Sequence, residues 1–473
     1  MMLQPHILIK HKAVLWTLVL FALLYSTQAQ AQQPSEPAPD DEVITRQLEE
    51  ADDNATPPKQ LDTQDNPAQE SEVTAEDSAP VQEEEELSDE ELKALEAALA
   101  EDLEAQEDTP SLATTASTQG FSQSTMGRTL QSMNPDISLI LDVAAAGFSN
   151  TPLQGGAHDP NQNGFNLQQL EMHIESNVDP FFELQANIVF SQFGVEVEEA
   201  YARTLALPAN LQLKAGQFLT QMGRLNPTHP HSWSFLDQPL VNGKFLGGEG
   251  SRGLGMEVSY LTPLPWFVEL TASSTMATGA CCARSFYGGQ DLGVNSPTDL
   301  LYTTRMEHFF ALSDSFSLLW GTSAQFGPNP TGLGNRTEIY ATDLYLRWRP
   351  LNNPSRTSVS LQVEAMHRRR QTAGDILVDN GGYGQLVWDI NFRHALGVRY
   401  DFVEGIAGGL DTIDPEWTEN RQRATAQWTF YPSHFSRLRL QAGYDNPGWY
   451  ERPILIAMLG AEVLIGAHGA HGY

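Results

Sequence analysis

Two histidines one residue apart, His229 and His231, flank Pro230 in a stretch that also carries Arg224, Asp237, Lys244, Glu249 and Arg252. Imidazoles and carboxylates ligate zinc-type cations, so His229 and His231 are candidate metal ligands, with His173 or Glu249 to complete a set. The proline rules out the helical spacing of the common two-histidine motif. The plainer alternative is two rings packed into a loop that contains proline and tryptophan. His468 and His471 sit in a glycine-rich end and could hold zinc adventitiously. The only cysteines, Cys281 and Cys282, are adjacent. Their Cα atoms, about 3.8 Å apart, fall short of the usual disulfide span. The pair therefore reads as incidental, with a vicinal disulfide or two thiols as alternatives. No nucleophile elbow, HExxH helix or phosphate-cradling glycine loop is present in the chain. No catalytic residue and no cofactor is expected.

The histidines belong to a block, 220–252, unlike the segments on either side. It has three prolines (Pro227, Pro230, Pro239), a glycine-rich end and both signs of charge, and it does not alternate. A connector this long is functional or disordered. Trp233, Phe235, Leu236, Leu240, Val241, Phe245 and Leu246 need a surface to pack on, which favours a loop folded inward.

The flanking segments decide what that surface is. From Asp136 onward, runs of about ten residues alternate apolar and polar side chains. In one, Leu170, Met172 and Ile174 interleave with Glu171, His173 and Glu175; in another, Leu438, Leu440 and Ala442 interleave with Arg437, Arg439 and Gln441. Each such strand has one apolar and one polar face. The expected strands are 136–148, 165–178, 181–193, 196–206, 210–219, 253–262, 266–275, 300–311, 315–326, 337–349, 356–369, 383–391, 395–402, 420–430, 435–444 and 454–466. Brief connectors such as Val178-Asp179-Pro180 alternate with long ones, and Trp266, Trp348, Trp388 and Trp428 fall near strand ends. The reading is all-β: a transmembrane antiparallel β-barrel of about 16 strands, within a range of roughly 14–18, over residues 131–473. The block 220–252 is then the third long loop.

The N-terminal part is of another kind. Residues 1–31 read as a secretory signal peptide: Lys10 and Lys12, an apolar core from Ala13 to Leu24, and the cleavage site Ala29-Gln30-Ala31. Residues 32–130 form an acidic, aromatic-poor segment expected to be disordered and periplasmic, with a short helix near 88–106 behind the capping box Ser88–Glu91. The net charge of −33 over 473 residues argues against nucleic acid as a partner.

Three stretches carry a family resemblance: EVEEAYA (Glu196–Ala202), LQLKAGQFLTQMGRLNPTHPHSW (Leu211–Trp233) and FLGGEGSRGLGMEVSYLTPLP (Phe245–Pro265). On these the chain resembles diffusion porins, most of all the phosphate-selective porin family and its relatives, some of which carry the label of a zinc-regulated outer-membrane receptor. The resemblance implies an outer-membrane location in a Gram-negative cell, insertion by the barrel-assembly machinery, contact with outer-membrane lipid, a homotrimer, and a third loop that narrows the channel. Arg224, His229, His231, Asp237, Lys244, Glu249 and Arg252 would then line the constriction.

With the polar face inward, Glu171, Glu175, Glu183 and Lys214 on early strands and Arg347, Arg399, Arg421, Arg423, Arg437 and Arg439 on late ones are expected to line the pore. An acidic wall would face a basic one across the lumen, a field that orients polar solutes. The dense cationic ladder that phosphate selectivity needs is absent from the first half. The expected function is therefore passive diffusion of small hydrophilic solutes or ions through a water-filled barrel. A metal-responsive receptor and a barrel enzyme are the alternatives.

Overall fold

The computed structural model describes residues 135–466 except 193, 278–280, 287–293, 333, 354 and 407–410. The signal peptide, the acidic segment with its helix and the histidines of the tail lie outside the described residues.

The described chain forms sixteen strands: β1 (Asp136–Phe148), β2 (Gly164–Asn177), β3 (Phe182–Ser191), β4 (Gly194–Thr204), β5 (Leu211–Leu219), β6 (Arg252–Leu261), β7 (Phe267–Thr275), β8 (Leu301–Ser313), β9 (Phe316–Pro328), β10 (Arg336–Trp348), β11 (Ser358–Gln371), β12 (Ile376–Asn391), β13 (His394–Val403), β14 (Arg421–Ser433), β15 (Ser436–Pro447) and β16 (Ile454–Gly466). Each pairs antiparallel with its sequence neighbours, and β1 pairs with β16 from Ser138↔Gly466 to Phe148↔Ile456, which closes the barrel. Closure leaves no unpaired edge, the condition for a sheet to sit in hydrocarbon.

Period-two alternation sets the two faces. On β16, Leu455, Leu459, Val463 and Ile465 point outward and are half exposed or more, while Ile454, Met458 and Glu462 point in and are buried. Exposed aromatic rings bracket the outer apolar band. Trp266, Phe316, Trp388, Phe392, Trp428 and Phe435 lie at the end with short turns; Phe165, Tyr302, Phe326, Tyr340, Tyr400 and Tyr444 lie toward the end with long loops. Rings at both rims of an apolar band are what two membrane–water interfaces require.

Side-chain caps tighten the short turns. Asp179 Oδ1 accepts from the N–H groups of Phe181 (2.7 Å) and Phe182 (2.8 Å). Asn391 Oδ1 does the same for Arg393 and His394. Strand boundaries follow the sequence alternation closely except at β12, which begins at Ile376 rather than 383. Gly381 and Gly382, expected in the connector before it, lie within the strand. Gly381 is there for close approach: a Cβ would stand 2.7 Å from both Val241 Cγ2 and Val403 Cγ1.

Candidate functional site: the loop across the barrel

Sixteen strands enclose more space than their own side chains fill. The 220–251 segment enters that space from the long-loop end and reaches Arg437, beside the short turn before β15, through the carbonyls of His231 and Trp233; every residue from Phe235 to Gly247 is buried. Within it lies a short helix, α1 (Leu240–Phe245). Met222, Leu225, Leu240, Val241, Phe245 and Leu246 form an apolar core with the inward-facing Ile339, Met366, Tyr383 and Val403, and with Phe286 and Trp417 from neighbouring connectors. Leu236 packs separately on Phe148, Ile456 and Met458. The inward face thus carries apolar patches where these side chains seat, set among polar groups that bond the same loop.

Polar contacts tie the loop to the wall on many sides. Gly223 donates its N–H to Ser323 Oγ (2.9 Å), and Arg224 and Leu225 donate theirs to the Glu364 carboxylate (3.1 and 3.3 Å). Leu236 N–H reaches Gln441 and Leu240 N–H reaches Asp401. Lys244 Nζ donates to Asp379 (2.8 Å), fully buried. Asp237 sits between Arg399 (2.9 Å) and Arg423 (3.0 Å). Burial alone would raise the Asp237 carboxyl, but the charges of Arg423 and Arg399 hold it below its ordinary value. Desolvation lowers Lys244, reinforced by the charge of Arg368 against Asp379.

Other connectors interlock with this loop. Glu249 N–H donates to Cys281 O and Arg252 N–H to Cys282 O. The two cysteines, read from sequence as incidental, are joined by a disulfide between adjacent residues, so the vicinal alternative is the one found. Arg284 and Arg368 converge on Asp414, whose carboxyl they hold well below its ordinary range against the effect of burial.

The lumen charges differ from the expected facing walls. Arg399, Arg421, Arg423 and Arg439 point inward but are buried in local ion pairs: Arg421 with Asp445 (2.6 Å), Arg399 with Asp401 (2.8 Å), Arg439 with Asp142 and Glu462 (both 3.4 Å). Arg437 pairs with Glu462 (2.5 Å). Glu183 meets Arg203 (2.6 Å) and Lys214 meets Glu257 (2.9 Å). Partners come from nearby strands or the loop because a desolvated charge needs compensation within hydrogen-bond reach, and the far wall is beyond it. Toward the turn end the inward face opens. Glu175 and Arg203 are 43% and 33% exposed at their side chains, and Arg347 is half-buried. Arg224 stacks its guanidinium on Tyr345 at 4.0 Å, and Arg252 pairs with Glu196 and bonds Cys282 Sγ.

The histidines are brought together with carboxylates that sequence reading passed over. His229 Nδ1 lies 3.0 Å from Glu198 and its Nε2 2.9 Å from Glu199. Both carboxylates face inward because β4 bulges: Asn187 pairs with Glu199 and Ile188 with Val197, leaving Glu198 as the extra residue. The Glu-Glu doublet in EVEEAYA, which breaks the alternation, was the available signal. His231 Nδ1 bonds Glu171 (2.8 Å) and its ring stacks on His229 at 5.6 Å. Glu249 does not join these two rings; it pairs with His158 Nε2 at 2.9 Å. His173 goes to Asn187 and Glu175.

Fold and site together define a transmembrane β-barrel with an in-folded loop in its lumen. The chain is 31% identical over 382 residues, 72% of its own length and 80% of the other's, to a protein of Aquifex aeolicus (strain VF5) named "Uncharacterized protein"; it belongs to the same family as that protein. No family model matches. Solved structures similar to it include Pseudomonas putida OprB (11% identity, TM-score 0.49, 72% of this chain and 96% of that one) and the outer-membrane channel DcaP of Acinetobacter baumannii (11%, 0.48, 70% and 96%). Salmonella typhi OmpF in complex with daunomycin is another (12%, 0.48, 71% and 99%).

Proposed function

We propose that the protein is an outer-membrane porin that passes small hydrophilic solutes or ions by passive diffusion, with its lumen restricted by the 220–252 loop. One observation carries the reading: a sixteen-strand barrel whose outside is apolar and whose turn-end interior is charged and accessible, at Glu175, Arg203 and Arg347. An interior of that kind holds water, and water is what a polar solute needs to cross hydrocarbon. The loop's own charges, at Arg224, His229, His231, Asp237, Lys244, Glu249 and Arg252, set the restriction more by fixing the loop than by facing solute. Pairing of the late-strand arginines argues for general rather than phosphate-selective passage. In this reading the short turns face the periplasm, where the acidic segment also lies, the barrel-assembly machinery inserts the chain, and the functional unit is a homotrimer.

Conductance of the purified protein in a planar bilayer tests it. Open, ohmic steps are expected, and deletion of Asn226–Gln238 should enlarge them while the barrel still assembles. Unchanged conductance would place the loop outside the solute path. Silence of both proteins, with metal retained, would favour the metal-responsive receptor, and hydrolysis of lipid esters would favour a barrel enzyme.

A further inference from the structure

The ion-paired buried carboxylates of the barrel fall into two groups. Asp237, Asp379, Asp401, Asp414, Asp445 and Glu462 each pair with arginine or lysine. Glu171, Glu198, Glu199 and Glu249 do not: among the described residues, their ion pairs within 4 Å are all with histidine. Histidine is the basic side chain that also ligates metals, as the neutral imidazole.

The geometry fits that second use. One oxygen of Glu171, one of Glu198 and a ring nitrogen of His229 lie within 4.8 Å of one another, and so do donor atoms of His158, Glu198 and Glu249. Three atoms ligating one cation at about 2.0–2.2 Å stand roughly 3.3–3.8 Å from one another. His229 Nδ1 already lies 3.6 Å from Glu171 and 3.0 Å from Glu198, and His158 Nε2 lies 2.9 Å from Glu249, so closing either set asks its widest pair to draw in by about 1 Å or more. Glu198 belongs to both. A cavity of about 10 Å³ adjoins the second set, lined by His158, Glu198, Gln238, Asn242 and Glu249. That is close to room for one small bound species. Two of its lining residues carry buried oxygens without a hydrogen-bond partner, Gln238 Oε1 and Asn242 Oδ1, in side chains 3% and 1% exposed. Orphaned buried acceptors cost free energy unless something electropositive completes them.

We propose that Glu198 is the shared ligand of a divalent first-row transition-metal site, formed with His158 and Glu249 on one side and with Glu171 and His229 on the other. Mixed imidazole and carboxylate donors suit Zn²⁺ or Mn²⁺. His231 is outside both sets; it holds Glu171 from behind. Occupancy would clamp the 149–163 connector and the in-folded loop to β2 and β4 at one point, which goes beyond solute passage and does not depend on it.

The test uses the full chain in detergent, without a histidine tag and with H468A and H471A to remove the tail's imidazoles. After incubation with ZnCl2 or MnCl2 and gel filtration, metal per protein is measured by elemental analysis and affinity by calorimetric titration. Stoichiometric retention is expected for this background. Glu198→Gln should abolish it, and His158→Asn, in a connector off the barrel wall, should weaken affinity by about 10-fold or more. Heat-modifiable gel mobility checks that each variant folds. No retention in the background protein, or retention unchanged in both variants, overturns the proposal. Conductance recorded on the same samples reports separately on the channel reading.

Discussion

Asp237 and Arg423 lie 3.0 Å apart, the first in the in-folded loop and the second on β14, and both are essentially excluded from solvent. A second guanidinium, Arg399, holds the same carboxylate from β13. The loop thus carries counter-charge for the wall it rests on: without it, two arginines would lose a carboxylate partner in a dry interior. Arg423 also donates to Gln238 O at 2.7 Å, so the contact fixes loop backbone as well as charge.

Replacing Asp237 with Asn should therefore cost more than the loss of one contact. Removing one partner of a buried pair typically costs about 3–5 kcal/mol when the remaining charge is uncompensated; Asp401 still faces Arg399 at 2.8 Å, which places D237N toward the lower end of that range. Loosening should concentrate in the loop, since the barrel's hydrogen-bond ladder is untouched. Hydrogen exchange across 220–251, faster in D237N than in the parent while strand amides stay protected, checks this. Uniform protection would show that the pair is dispensable.

Gly460 on β16 faces Leu236, and a Cβ there would lie 2.3 Å from Leu236 Cδ2. Gly460→Ala should push Leu236 off Ile456 and Met458 and destabilise the loop by about 1–3 kcal/mol, the usual cost of overpacking. Shortening the opposing side chain with Leu236→Ala in the same protein should return part of that loss. Thermal unfolding of the single and double variants gives the comparison, and purely additive losses would mean the two positions do not touch.

Acid should open the loop later than ordinary carboxylates would allow. Burial pushes Asp237 and Asp414 up, but Arg423 and Arg399 in one case, and Arg368, Arg284 and Arg370 in the other, bring both below the ordinary 3.8. A depressed folded-state pKa contributes stability that is present above the unfolded value and lost as pH falls through the folded one. Loop protection from the Asp237 clamp, and the tie between the connectors at Asp414, should thus persist to pH values below about 4. Proteolysis of the loop as a function of pH would reveal an earlier transition if the clamps were not ionised.

Removing residues 33–125 should leave the heat stability of the barrel in detergent unchanged. That segment is too poor in apolar residues to supply a core. A drop in the temperature at which gel mobility shifts would make it part of the barrel's fold.

How far the sequence alone reaches is visible at individual residues. Leu438, Leu440 and Ala442 against Arg437, Arg439 and Gln441 set both the strand and its two faces, because side-chain direction on an extended chain repeats every two residues and needs no distant partner. The short connectors at Asp179 and around Arg393, and the aromatics near strand ends, were legible for the same local reason. The partners of those charges were not. Arg437 and Arg439 read as part of one basic wall, yet they meet Glu462 on the neighbouring strand; Glu249 and His229 belong to one loop, yet go to His158 and Glu198. Only closure of the cylinder and insertion of the loop bring such groups within 4 Å, and only their removal from water makes that distance decide which charge pairs with which.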